Sequence, residues 1–453
     1  MAAPGHPFGD DYRQRRSDHQ VADDRAKVCE QVANLIRRRT DEAFRRRFFA
    51  SLQRRRDDRR DLHQFEVVRV PGSTETLVVR NELLMRTELA DDRRIQDLLR
   101  GYRLRRDDDL DCEELEDRVV RYRGGDTNAR GLHDVASLLR RRHGPATVNH
   151  VVPLGPIGKG MAGPKPADGL PPFPPPERGD PPSPRTVVAV IDTGIDRTLR
   201  GDDWLANVRR RDDNIDPLDV LPDHGDGYLD LGAGHGTFAA GIVQQVAPDA
   251  EIRMYRALDS DGVGSDVAVA CAMVRAVKHG AQVLSLSLGT QTLDDRPPLG
   301  MEVALQVIRR LERERGQDVV IVAAAGNSAS TRPCWPAAFR RVVSVAGLTA
   351  GLTPSGWSNY GFWVDCSTVG EGVLSTYVEG QEALELDLDP DVFPPDAWAR
   401  WSGTSFAAPQ VAGGVARLCM EGWPNPRDAL RELLRRGRPV PDFGRAFEIL
   451  PGV

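Results

Sequence analysis

The sequence predicts an α/β protein: a doubly wound, mainly parallel sheet with helices on both faces, preceded by a small α+β unit and an N-terminal helical segment. After Pro184, apolar runs such as TVVAVID, AQVLSLSLG, VVIVAAAGN and VVSVAGL alternate with helical stretches such as DVAVACAMVRAVKHG and MEVALQVIRRLERE. That alternation is the signature of parallel strands buried on both faces by crossover helices. Upstream, the segment IGKGMAGPKPADGLPPFPPPERGDPPSP is so rich in Pro and Gly that it reads as an extended, semi-rigid linker without a packed core. A chain of 453 residues also exceeds what one core ordinarily holds.

Four regions follow in order. Residues 1–63 are Arg-rich, and Val21, Val28, Val32, Leu35, Ile36, Phe44, Phe48, Phe49 and Leu52 recur at helical spacing, predicting one or two amphipathic helices. Residues 64–154 change period, with strand-like ETLVVR, DRVVRY and ATVNHVV interleaved with helical stretches near Ile95–Leu99 and Leu132–Arg141. They read as an approximate βαββαβ unit. Residues 155–184 are the linker and 185–453 the α/β domain.

Sixty-one basic residues nearly balance 67 acidic ones, and the net charge of −6 gives no reason to expect nucleic acid or an acidic membrane as partner. The cysteines, Cys29, Cys112, Cys271, Cys334, Cys366 and Cys419, stand singly and are expected to be free thiols. MAAPGHPFGDDYRQRRSDHQ lacks the apolar core of a secretory signal, and no apolar run reaches the roughly 18 residues of a spanning helix. The expectation is a soluble, cytoplasmic protein.

Three segments carry reactive residues where strands end or helices begin: VIDTGID around Asp192, GAGHGTFAAGIV around His235 and SGTSFAAPQVAGGVA around Ser405. Asp192 closes an apolar strand, which places its carboxylate at the crevice beyond the strand ends, where an imidazole is its natural partner. A lone D-T-G also occurs in ordinary turns, and the aspartic dyad needs a second such motif, which the chain lacks. His235 is flanked by Gly234 and Gly236, as a closely approached helix start requires. Ser405 opens a helix, near free N–H groups able to bind an oxyanion. In IVAAAGNSAS, Asn327 ends an apolar strand with an amide that could join Ser405 N–H in that task. The G-T-S-F-A context of Ser405 is not the nucleophile elbow of lipases and esterases.

Taken together, these segments in the order Asp, His, Asn, Ser resemble the subtilisin-like serine peptidase (subtilase) family over about Arg185 to Arg417. VLSLSLG resembles the family strand lining the substrate cleft, and SNYGFWVDCSTVGEGVLST the segment before the nucleophile. The resemblance implies a serine endopeptidase with Asp192, His235 and Ser405 as triad and Asn327 in the oxyanion hole. It implies a peptide substrate held as an extra strand between Ser287, Leu288 and Gly289 on one side and Gly262, Val263 and Gly264 on the other. Ala324, Ala325 and Gly326 would wall an open, mainly apolar specificity pocket. No catalytic metal or cofactor is required; RRDDNIDPLDVLPDHGDGYLD is acidic enough to raise the expectation of a structural calcium, although it matches no EF-hand spacing. EGQEALELDLDPDVFPPDAW is longer than the family needs and reads as a surface insertion.

In pattern and position the 64–154 unit resembles the prodomains that precede many subtilases. By that likeness ATVNHVVPL would lie in the cleft as an inhibitor, released by cutting near Val151 or in the linker, and the full chain would be latent. Residues 1–63 would be free to dock an activating or targeting protein partner. The competing reading is a catalytically silent protein that keeps the fold and captures peptides.

Overall fold

In the computed structural model, residues 17–57, 59, 61–69, 75–125, 127–154, 162–167, 175, 185–384 and 390–453 are described. The start of the N-terminal segment, most of the linker and part of the acidic insertion lie outside them.

The C-terminal domain is organised by an eight-stranded sheet in the order Glu251–Arg256, Val187–Asp192, Val283–Leu286, Val320–Ala324, Val342–Leu348, Cys366–Val369, Gly444–Ala446 and Arg438–Val440. All neighbours are parallel except the last pair, a hairpin. Alternation along one strand divides the core. Val188 and Val190 face the helices His235–Val246 and Thr404–Met420, whereas Ala189 and Ile191 face Asp266–Lys278 and Leu299–Arg315. The chain leaves Val187–Asp192 for a strand on one side and returns on the other, so Asp192 stands at the switch point where α/β sheets open a crevice.

The N-terminal unit is antiparallel. Its strands are β1 (Phe65–Arg69), β2 (Glu75–Arg86), β3 (Leu104–Asp107), β4 (Val119–Gly124) and β5 (Ala146–Pro153), with β5, β2, β4 and β3 in that spatial order and β1 on the other end of β2. Strand β1 is an addition to the expected order: FEVVR sits as a hairpin partner of β2, in register Phe65 to Val79. Helix Ala129–Arg142 packs Leu132, Val135, Ala136 and Leu139 on this sheet.

Two helices precede it, α1 (Asp18–Thr40) and α2 (Glu42–Arg54). Ser17 and Gln20 form a capping box on α1, and Asp41 ends α1 while accepting from Phe44 N at the start of α2, so the pair turns within one residue. Phe48, Phe49 and Leu52 bury against Phe65, Val151 and Val263, joining the hairpin to both units.

Two expectations need correcting. Part of the linker is packed: Lys165–Pro166 pairs antiparallel with the strand Trp398–Trp401, and Ala162 and Ala167 are buried. An open strand edge supplies the backbone partners, and alanine is small enough to be covered there. Nor are all cysteines free: Cys112 of the N-terminal unit and Cys271 of helix Asp266–Lys278 form a disulfide, Cα atoms 5.8 Å apart across a separation of 159 residues. Cys29, Cys334, Cys366 and Cys419 are free. Among the described residues no helix is long and apolar enough to cross a membrane.

Candidate active site

Asp192 and His235 meet as the order of strand and helix requires. Asp192 Oδ1 lies 2.8 Å from His235 Nδ1, both side chains buried, and the same oxygen accepts from Thr193 N at 2.8 Å. Only glycine fits beside the imidazole: a Cβ on Gly236 would stand 2.1 Å from Gly194 O, and Gly234 has φ +77. A buried carboxylate missed by the sequence reading braces this corner. Asp216 accepts from Thr193 Oγ1 at 2.8 Å and Gly234 N at 2.9 Å, while Thr193 Oγ1 accepts from Gly236 N at 3.1 Å. Burial pushes Asp216 up to about 7.

Ser405 lies in the first turn of helix Thr404–Met420, where backbone N–H groups have no helical acceptor. Pro409 sits inside that helix and has no N–H to give the carbonyl four residues earlier, so Ser405 O takes Ser287 Oγ instead, at 2.7 Å. In return Ser405 Oγ donates to Ser287 O at 3.1 Å, which holds the hydroxyl against the residue that follows strand Val283–Leu286. Trp401 and Phe406 flank His235, each ring 5.3 Å from the imidazole.

Asn327 is oriented by Thr404, whose N and Oγ1 donate to its Oδ1 at 2.9 and 2.8 Å. A backbone N–H can only donate, so the amide orientation is fixed, and Asn327 Nδ2 is left buried with no hydrogen-bond partner. Gly403 keeps the space beside it open: a Cβ there would be 3.3 Å from Nδ2. An unspent, pre-oriented donor beside a helix N-terminus is what an oxyanion site needs.

The two expected cleft edges are both occupied, by the chain's own strand. Pro153, Val152 and Val151 of β5 pair antiparallel with Val263, Gly264 and Ser265, and Leu154 N donates to Gly262 O at 2.9 Å. On the other side Leu154 bridges Leu288, and Gly289 N donates to Pro153 O at 3.1 Å. Ala324 and Gly326 line the adjoining cavity of about 110 Å³, together with Leu288, Gly289, Asn327 and, on its floor, Cys334. Ala325 does not: strand alternation turns it into a separate cluster with Ala346 and Leu348. The pocket is also roofed, because Leu35 and Arg39 of α1 and Arg45 and Phe49 of α2 line the same cavity. Arg39 Nη1 reaches Ser328 O at 3.4 Å. No sequence signal pointed from the helices to the cleft.

In the acidic loop, Asp219 spends its carboxylate on Gly225, Asp226 and Gly227 N–H groups at 3.0 to 3.1 Å. Among the described residues no three His, Cys, Asp or Glu ligand atoms are gathered in this loop.

The sequence profile described as "Subtilase family" matches residues 183–436. A thermophilic serine proteinase of Bacillus sp. (strain AK1) is 32% identical over 247 residues, spanning 52% of this chain and 52% of that protein. Thermitase of Thermoactinomyces vulgaris is 32% identical over 245 residues, spanning 52% of this chain and 75% of thermitase. Among solved structures, a prenylagaramide maturation protease aligns with TM-score 0.46 and 21% identity, covering 59% of this chain and 92% of that one.

Proposed function

The chain belongs to the subtilase family, and from that premise we propose that it is a serine endopeptidase held latent by its own N-terminal region, with proteins or peptides as substrates. The observation that carries the reading is the placement of Val151–Leu154: an extended strand hydrogen-bonded to both cleft edges beside Ser405, in the geometry a peptide substrate would take.

With Nδ1 held by Asp192, His235 presents Nε2 as the base for Ser405 Oγ. The hydroxyl must leave the Ser287 carbonyl to deliver its proton, and its oxygen then attacks the substrate carbonyl. The resulting oxyanion would be met by Asn327 Nδ2 and Ser405 N–H. Asp192 stabilises the imidazolium, which protonates the leaving amine; water, deprotonated by the same imidazole, then releases the acyl group.

Leu154 sits opposite Leu288, next to the Ser287 carbonyl that holds Ser405 Oγ, so the self-cut is expected just beyond Leu154 rather than near Val151. Residues 155–161 lie outside the described ones. The test is labelling with a fluorophosphonate probe carrying a peptide arm. The wild type should be labelled at Ser405 after a nick in the linker and resist labelling while intact; Ser405→Ala should never be labelled. Equal labelling of intact and nicked chains would overturn latency, and no labelling of either would overturn the enzyme.

A further inference from the structure

We propose that the pocket formed by Asp230, Asp259 and Asp261 is a guanidinium-binding regulatory site, and that Arg55 and Arg56, just past the end of α2, fill it to lock the closed cleft. The lock rests on the endopeptidase reading above; the site itself does not.

Arginines at the end of a surface helix ordinarily stay in water, yet Arg55 is 5% exposed and Arg56 is fully buried. Arg55 Nη2 lies 3.0 Å from both Asp230 Oδ1 and Asp261 Oδ1, and its Nε also donates to the Asp261 carboxylate. Arg56 takes the other faces, Asp261 Oδ2 at 3.0 Å and Asp259 Oδ2 at 2.6 Å. Asp261 therefore bridges two guanidinium groups, a geometry that uses the fork of arginine and that an ammonium would not reproduce. The occupants come from outside the catalytic domain, whereas all three carboxylates belong to it.

The pocket is built into the catalytic machinery's frame. Asp261 immediately precedes Gly262, whose carbonyl holds Leu154; Asp259 Oδ1 accepts from Asp261 N and Val263 N, bracing the same cleft edge. Asp261 Oδ1 also accepts from Leu231 N, four residues before His235. Burial and the neighbouring Asp261 push Asp230 up to about 7 even with Arg55 beside it. Its ligand class is a peptide bearing adjacent arginines, and the occupant is the chain's own hairpin. Withdrawing the arginines frees α2, the roof of the specificity pocket, and loosens the edge that grips the inhibitory strand.

The experiment uses the full chain carrying Ser405→Ala, so that self-cutting plays no part. Hydrogen exchange is compared among this protein, its Arg55→Ala/Arg56→Ala derivative and its Arg55→Lys/Arg56→Lys derivative. Protection of α2 is expected to fall at least about tenfold with alanine and less with lysine, while the central sheet is unchanged. A synthetic peptide of residues 48–60 should bind the alanine derivative and not the parent. Unchanged protection of α2, or equal peptide binding by both, would overturn the site. If the alanine derivative does not fold, Asp259→Asn at the pocket rim decides: a loosened α2 supports the site and an unaltered one overturns it. In the Ser405 enzyme, the alanine pair should raise peptidase activity of the uncut chain at least about tenfold. A loosened α2 with no such rise, in a chain that becomes active on nicking, would overturn the lock alone.

Discussion

Two layers cover the cleft, and they are fastened by different physics. Strand β5 and Leu154 after it are held by backbone pairing with Gly262, Gly264 and Gly289, contacts nearly indifferent to their side chains. The α1–α2 hairpin above it is held by buried charge pairs: Arg55 and Arg56 at one end, and at the other Asp24 with Arg400, 2.6 Å apart on the strand leading to Ser405. Backbone pairing tolerates substitution, whereas a buried ion pair fails when either partner is removed and leaves the other charge stranded. The hairpin is thus the layer that point changes can release.

The sharpest break in that contrast is Asp24→Ala, which should destabilise the chain by about 3–5 kcal/mol in denaturant unfolding, with much of the loss recovered when Arg400 is also replaced by Met. A comparable change in the strand, Val152→Ala, removes a fully buried side chain but no backbone bond; about 1.5–3 kcal/mol is expected, with the uncut chain still latent. Beneath both layers, Asn327→Ala should lower kcat of the nicked enzyme about 10²- to 10³-fold with little change in KM, the magnitude typical of one oxyanion donor.

A smaller effect concerns pH. Burial raises Asp266 to about 7, above its ordinary value of 3.8, although Gly300 N and Met301 N donate to it. The native state therefore binds more protons than the unfolded one between those values. The resulting stabilisation is full below the unfolded value and is lost as pH rises through about 7. Melting temperature should fall over that window, and less steeply in Asp266→Asn. The least costly change is Cys112→Ser: peptidase activity should be kept, but a nicked chain should separate into two fragments on a non-reducing gel, where the wild type stays joined through Cys112–Cys271.

The C-terminal α/β domain was legible because its signals are local. Apolar strands with period and length, glycines pressed against backbone at Gly236, and a helix opening at Ser405 each need only a few neighbouring residues to be read. The expectation that residues 262–264 and 287–289 form two edges for an extended strand came from the family resemblance and not from local pattern. What the sequence hid was contact between distant segments that leaves no periodic trace: Cys112 with Cys271, Asp24 with Arg400, and the helices lying over the cavity beside Leu288 and Gly289. In the Arg-rich stretch nothing marked Arg55 and Arg56 for burial, because burial of an arginine depends on carboxylates roughly two hundred residues away. Ala325 was misassigned for a simpler reason: neighbouring positions of an extended segment point to opposite sides.

On the proposed function, an intact chain is a closed protease whose own strand occupies the cleft. The most direct test of this is a time course that follows intact mass and hydrolysis of a quenched fluorescent peptide in the same sample, for wild type and Ser405→Ala. Wild-type activity is expected to rise from near zero in step with a cut just beyond Leu154, while Ser405→Ala stays intact and inactive. Full activity from uncut wild type, or hydrolysis that persists in Ser405→Ala, would contradict it.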